Sequence, residues 1–385
     1  MVQAAYFHIP FCEQICHYCD FNKVFLKNQP VDEYLDSMQT EMKNTVKKTP
    51  ADGLKTIFIG GGTPTALNER QMEKLLTSIS EEFPVGNLHE YAAEANPGEV
   101  SLEKLKIMKE LGVNRLSFGV QTFNDRLLEK IGRSHRSLDV MKTIGLAEKA
   151  GFDNISIDLM YGLPGQTIDD FKETLHTAFS LDVQHYSSYS LIVEPKTVFY
   201  NLMSKGKLLL PPQEEEAAMY ELLMEEMDKH GFKQYEISNF AKPGYESMHN
   251  LTYWNNEEYF GIGAGAHSYG GGVRRANAGP LKKYMSLVEE EGFPYTSEHI
   301  VSKAEAMEEE MFLGLRKSAG VSRARFDEKF GMRMEQVFGQ QIREQIANGL
   351  IEENGDFLSL THKGKLLGNE VFQAFLGVIP EKDGQ

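Results

Sequence analysis

The segment Tyr6-Phe7-His8-Ile9-Pro10-Phe11-Cys12-Glu13-Gln14-Ile15-Cys16-His17-Tyr18-Cys19-Asp20-Phe21 begins apolar and then places three cysteines within eight residues. The run at 4–9 has the length and composition of a buried strand. The next long periodic stretch, Val31–Lys48, reads as a helix. The thiols therefore fall on a loop that leaves the end of a first strand. No other cysteine occurs in the chain, not even as a small core residue. An odd number of thiols in one short cluster is not a disulfide framework, and three free thiols suit a reducing compartment. The cluster reads as a site.

Working outward, predicted strands at 4–9, 55–59, 89–93, 115–120, 155–160 and 185–191 are separated by helical stretches. Those helices lie at 31–48, 69–82, 101–111, 124–131, 138–150 and 167–180. A further helix at 213–230 leads to a possible strand at 234–237. This alternation predicts an α/β fold with a parallel sheet. Six βα units suit a TIM-like barrel, complete or opened, and a doubly wound open sheet would show the same periodicity. Each strand runs into polar residues, glycine or proline, as at Gly60-Gly61-Gly62-Thr63-Pro64, Glu94-Ala95-Asn96-Pro97 and Gln121. That is the edge on which α/β sheets bind ligands. The division expected is a core barrel at 1–240, a loop-rich segment at 241–300, a C-terminal domain at 301–378 and a tail at 379–385. In the C-terminal domain, helices at 323–330 and 334–348 precede a hairpin at 350–360 with an Asn354-Gly355 turn. A final helix from His362 completes a winged-helix-like pattern, and the last five residues are expected to fray.

The chain has 385 residues, 40 basic and 56 acidic, for a formal charge of −16. That balance speaks against a general nucleic-acid or anionic-membrane binder. The helix at 334–348, where a DNA-reading helix would lie, offers only Arg343 against Glu335 and Glu344. A packing or lid role suits the winged segment better. No apolar run approaches the roughly 20 residues of a membrane span, so an integral membrane protein is not expected. Residues 1–8 carry neither a basic start nor an apolar core of a signal peptide, so a cytoplasmic location is expected.

Thiolates at C-x3-C-x2-C spacing can converge on one metal centre. Iron–sulfur cubanes usually take four cysteines, so a cubane held by these three would keep one iron open to another ligand. Structural zinc on the three cysteines plus His17 or His8 is the alternative the residues leave standing. The cysteine segment, together with residues 60–64, resembles the radical S-adenosylmethionine (SAM) superfamily. The further strings 94–97, 119–121, 158–165 and 249–254 resemble the oxygen-independent coproporphyrinogen III oxidase group and, within it, the HemW family of heme chaperones. The resemblance spans residues 4–375. It implies a partial (β/α)6 barrel in which Cys12, Cys16 and Cys19 hold a 4Fe–4S cluster, with exchangeable SAM chelating the fourth iron. The SAM contacts it implies are Tyr6, Tyr18, Gly62, Thr63, Pro64, Glu94, Gln121, Arg133, Asp158 and Ile192. Glycines there let backbone approach a ligand where a Cβ would clash. Glu94 and Asp158 offer acceptors, and Arg133 can fork onto a carboxylate. Taken singly, Asp158 could cap a loop, Arg133 could pair with Glu129, and Gln121 could satisfy backbone.

The chain departs from the oxidases at two points. They carry a fourth cysteine two positions after the third, where this chain has Phe21, and an N-terminal extension ahead of the cluster. Both departures weigh against decarboxylation of coproporphyrinogen, and Phe21 fits the HemW pattern. So does His249-Asn250-Leu251-Thr252-Tyr253-Trp254, an HNxxYW motif. The resemblance makes His249 the leading heme contact, since imidazole ligates heme iron and aromatic rings pack on the macrocycle. A hydrogen-bonded loop histidine is the plainer reading of the same residue, and His267 is a second heme candidate. The expectation is a protein that binds heme and passes it to acceptor proteins the sequence does not identify, with no catalytic residue assigned. The rivals are a radical SAM oxidoreductase acting on a porphyrinogen and a zinc-structured regulator.

Overall fold

The computed structural model describes residues 1–380, so the fraying expected at 381–385 lies outside the described residues. Strands β1 (Ala4–Ile9), β2 (Thr56–Gly61), β3 (Glu90–Ala95), β4 (Arg115–Gln121), β5 (Ile155–Tyr161) and β6 (His185–Ser190) pair in parallel, in chain order. A doubly wound sheet would reverse direction at a switch point, and here none occurs among the six. Right-handed crossovers that always step the same way put the helices on one face, and the twisted sheet curls into a partial barrel. Phe7, Ile57, Ile59, Leu116, Phe118 and Ile157 are buried in the core shared by strands and helices. Helix starts follow local chemistry: Asn68 and Gln71 form a capping box at Glu69–Glu82, as do Thr167 and Asp170 at Ile168–Phe179.

Four strands run further than the sequence predicts. β2 continues to Gly61, β3 to Ala95, β4 to Gln121 and β5 to Tyr161, because ladder bonds from a parallel neighbour outweigh weak local strand propensity at the ends. At the end of β4 the register with β5 shifts between Gly119 and Gln121, and Gln121 takes a left-handed φ of 67°. Such strain in a non-glycine residue marks a position held by its surroundings.

The strand expected at 234–237 forms as β7 (Lys233–Glu236), and with β8 (Asn239–Ala241) it extends the sheet antiparallel beyond β6. The loop-rich reading of 241–300 gives way to short ordered elements. β9 (Tyr259–Ile262) adds in parallel to the free edge of β1, and β10 (His267–Gly270), β11 (Val273–Asn277) and β12 (Tyr295–Ile300) follow antiparallel. Helices Met248–Trp254 and Leu281–Glu291 lie in the same stretch. These strands of three to six residues are too short to show periodicity, and the two that attach the extensions, β8 to β6 and β9 to β1, find their ladder partners far away in sequence. The resulting order, β12-β11-β10-β9-β1-β2-β3-β4-β5-β6-β8-β7, leaves the barrel open.

Beyond residue 301, helices Lys303–Gly314, Arg323–Phe330 and Met334–Ala347 surround a three-stranded sheet of β13 (Val321–Ser322), β15 (Phe357–Leu360) and β14 (Ile351–Asn354). Their core holds Met311, Phe326, Phe338, Leu358 and Phe375. The arrangement is winged, as the Asn-Gly turn suggested. Cations tie it to the segment after Trp254: Arg325 donates to the Asn255 carbonyl and the Glu257 carboxylate, each at 2.7 Å, and Lys317 donates to Asn255 Oδ1 at 2.6 Å. Among the described residues no helix is long and apolar enough to cross a membrane.

Glu41, on helix Val31–Lys48, holds the strand extension to the barrel. Its buried carboxyl accepts from Gly263 N at 2.9 Å, from Asn277 Nδ2 at 2.7 Å and from the Tyr284 hydroxyl. Burial pushes this carboxyl up to about 7 from its ordinary 4.5. Because the folded state holds the proton more tightly, the stability linked to Glu41 is greatest below pH 4.5 and falls as pH rises toward 7. The upper bound is about 3 kcal/mol at about 1.4 kcal/mol per pH unit. Glu41→Gln should flatten the decline of Tm between roughly pH 5 and 7. An equally steep decline in the variant would clear Glu41 of that role.

Candidate functional site

The cysteine loop leaves β1 at the end of the barrel where β2 to β5 also terminate. A two-residue parallel pairing, Phe11–Cys12 with Val24–Phe25, closes the base of the loop. Cys12, Cys16 and Cys19 then line one cavity of about 120 Å³ with Gly62, Thr63, Asn96, Gln121, Arg133 and Asp158. Gly62 sits so close that a Cβ there would meet Cys12 Sγ at 2.9 Å and the Pro10 carbonyl carbon at 2.8 Å. Thr63 Oγ1 donates to Cys12 Sγ at 3.7 Å, and Arg133 Nη1 donates to Cys16 Sγ at 3.4 Å. Burial pushes the Cys12 thiol up to about 12, so the free thiol is neutral, and a metal would draw the proton off.

Three thiols facing one cavity that a glycine keeps open are a donor set fit for a cluster with one ligand missing. A closed Cys3His set is not formed. Both nitrogens of His8 are engaged, Nδ1 with the Tyr6 hydroxyl at 2.9 Å and Nε2 with the Asn22 carbonyl at 2.7 Å. His17 Nδ1 meets the Lys130 carbonyl at 3.0 Å. Among the described residues, no three His, Cys, Asp or Glu side chains, these cysteines included, are grouped closely enough to hold a single metal ion; a cluster instead takes each thiol on a separate iron.

Polar groups from successive strand ends surround the thiols. Arg133 does not pair with Glu129; its Nη2 donates to Asn96 Oδ1 at 2.8 Å and to the Gly119 carbonyl. Glu94 Oε2 accepts from Gly61 N at 3.0 Å. Burial, reinforced by the charge of Asp158, pushes Glu94 up to about 8. Asp158 accepts from Ser117 Oγ at 3.2 Å and is pushed up to about 6, burial outweighing its hydroxyl partners. Two carboxyls held apart in this way suit a ligand carrying hydroxyl or amino donors.

Glu94, Gln121, Asp158, Tyr18 and Phe21 also line a larger cavity of about 500 Å³, with Tyr6, Phe58, His249 and Tyr253 on its wall. Ile192 lines it too and is 65% exposed. Pro64 is buried and lines neither cavity; it opens the single turn Pro64–Ala66. His249 is on helix Met248–Trp254 and has both ring nitrogens engaged, Nδ1 with Thr56 Oγ1 at 3.0 Å and Nε2 with the Tyr253 hydroxyl at 2.8 Å. Burial lowers it to about 3, so the ring is neutral. Two partners escaped the sequence reading: Asn96, inside a string of which only Glu94 is given a role, and Asn22, which follows Phe21 and carries no motif of its own.

The profile of the radical SAM superfamily matches residues 6–178, and that of the HemN C-terminal domain matches residues 301–367. The heme chaperone HemW of Bacillus subtilis (strain 168) is 60% identical over 377 residues, covering 98% of this chain and 100% of that protein. Its counterpart in Lactococcus lactis is 46% identical, covering 97% of each. This chain belongs to the HemW family. Escherichia coli (strain K12) HemW is more distant, at 34% identity over 96% of this chain and 97% of its own. Among solved structures, the E. coli coproporphyrinogen III oxidase HemN, a radical SAM enzyme, superposes with a TM-score of 0.85 over 98% of this chain and 91% of its own. At 24% identity that likeness shows a shared fold, the radical SAM partial barrel with its C-terminal domain.

The tight packing at Gly62 has a direct consequence. Gly62→Ala should leave the far-ultraviolet circular dichroism unchanged while lowering iron and sulfide bound per chain after anaerobic reconstitution. Full iron loading in the variant would show that the glycine is not needed to make room at the thiols.

Proposed function

We propose that this chain binds heme and delivers it to acceptor proteins in the cytoplasm, carrying a 4Fe–4S cluster on Cys12, Cys16 and Cys19 with SAM at the open iron. The observation that carries the reading is the convergence of three thiols, an arginine and two carboxyls on one barrel end, beside a cavity walled by aromatic side chains. The HemW relatives, named as heme chaperones, supply the class of cargo.

When bound, the cluster supplies an iron able to chelate the amino and carboxylate groups of SAM. The residues of this chain do the rest. Arg133, fixed by Asn96 and the Gly119 carbonyl, holds a positive charge beside Cys16 and offers a fork to a carboxylate. Glu94 and Asp158 accept from hydroxyl and amino groups, with Tyr6, Tyr18, Gly62, Thr63, Gln121 and Ile192 bordering the same space. Pro64 follows Thr63 and opens the turn Pro64–Ala66. His249 contributes to heme binding through Tyr253, whose hydroxyl it holds at 2.8 Å and whose ring lines the cavities on both sides of the HNxxYW helix. Phe21, where an oxidase places its extra cysteine, is 61% exposed and offers an apolar face beside the cluster.

The reading is tested by anaerobic iron–sulfide reconstitution followed by optical titration with heme. The reconstituted protein should be brown and give a saturable Soret change; no saturable change would sink the chaperone reading. Cys16→Ser should abolish the cluster absorbance. His249→Ala should weaken heme binding while the cluster absorbance persists, and unchanged heme affinity would release His249 from the site.

A further inference from the structure

A third cavity, of about 590 Å³, lies between the strand extension and the C-terminal domain. Its volume falls within the roughly 300–1,000 Å³ usual for small-molecule and cofactor sites. Apolar surface comes from three places: Phe21 on the cysteine loop, Tyr253 and Trp254 on the HNxxYW helix, and Phe312 and Leu313 on helix Lys303–Gly314. Phe21 lines all three cavities and so joins this space to the thiols.

The polar groups here are unlike those of the barrel cavity. His267, on β10, is exposed into this space, and neither ring nitrogen engages a partner among the described residues. Its backbone is fixed, because a Cβ at the neighbouring Gly261 would overlap the His267 carbonyl. Asn256 is 5% exposed and takes a left-handed φ of 50°, yet its Nδ2 has no hydrogen-bond partner. Trp254 Nε1 is also buried and unpartnered. Neither donor has accessible surface, so both lie behind the cavity wall and the free imidazole of His267 is what faces the space. The acids on the wall are already answered. Glu309 is forked by Arg274 at 2.9 and 2.7 Å, Glu257 is held by Arg325 at 2.7 Å, and Glu94 accepts from Gly61 N.

We infer that heme sits in this interdomain cavity, its iron ligated by His267 and its faces packed on Phe21 and Trp254. The inference rests on the heme-binding reading and deepens it. Of the two histidines considered from the sequence, His249 would have to break a hydrogen bond to ligate iron, whereas the His267 imidazole is free to do so. The C-terminal domain then forms one wall of the berth, and its separation from the strand extension would open a way for heme to leave.

The test uses cluster-reconstituted full-length protein titrated anaerobically with heme. His267→Gly should lose the Soret shift of the bound state and weaken binding by about tenfold or more, the low end of the loss found when even an outer partner of a metal ligand is removed. Free imidazole should restore the spectrum, which a merely structural role of His267 would not allow. Leu313→Trp, which fills this cavity and touches neither of the other two, should weaken heme binding with the cluster absorbance intact. If His267→Gly binds heme with unaltered spectrum and affinity while His249→Ala does not, heme lies in the barrel cavity and the inference is overturned. If the parent protein shows no saturable Soret change, the heme-binding reading itself has failed and the inference falls with it.

Discussion

Asn22 joins the two parts of the molecule on which its chemistry depends. Its Nδ2 donates to the Ala264 carbonyl at 2.8 Å and to the Gly279 carbonyl at 3.0 Å, while its own carbonyl accepts from His8 Nε2 at 2.7 Å. One residue thus fixes the cysteine loop twice, its side chain to the strand extension and its backbone carbonyl to β1. The glycines opposite it are required: a Cβ at Gly265 would meet the Asn22 amide nitrogen at 2.7 Å. Each bond is worth only about 1 kcal/mol net, but an orphaned buried partner costs about 1–3 kcal/mol, so the junction resists partial loss.

The thiol cavity follows from a second constraint, the placing of a guanidinium beside a thiol with no carboxylate bound to it. Arg133 is satisfied by Asn96, the Gly119 carbonyl and Cys16 Sγ. A cation enclosed in this way favours anionic species nearby, which thiolates on iron and the carboxylate of an amino acid both provide. Phe21 then separates this polar space from the apolar ones around it, and its aromatic face is the local difference from a fourth thiol.

Much of this was legible in the sequence because it depends on short-range pattern. The six βα units, the ends of helix Val31–Lys48 and the Asn-Gly hairpin follow from periodicity and turn chemistry, and both glycine needs near the thiols follow from close backbone approach. The elements at 241–300 were not legible. β9 is a strand because β1 has a free edge, and a run of four residues carries no such information. Arg133 beside Glu129 looked like a helical ion pair, and only the fold turned it toward Asn96.

By itself the sequence determined that three cysteines one short of a cubane set lie on a loop after the first strand, and that Phe21 stands where a fourth would be. Spacing along the chain suffices for that, since a strand end and a short loop keep near neighbours together. The tertiary structure decided which histidine is free. His249 and His267 look alike as residues in aromatic, glycine-rich text, but packing gives His249 two hydrogen-bond partners and leaves the His267 ring with none. That distinction arises from contacts across nearly two hundred residues, such as Thr56 with His249, and no local pattern encodes them.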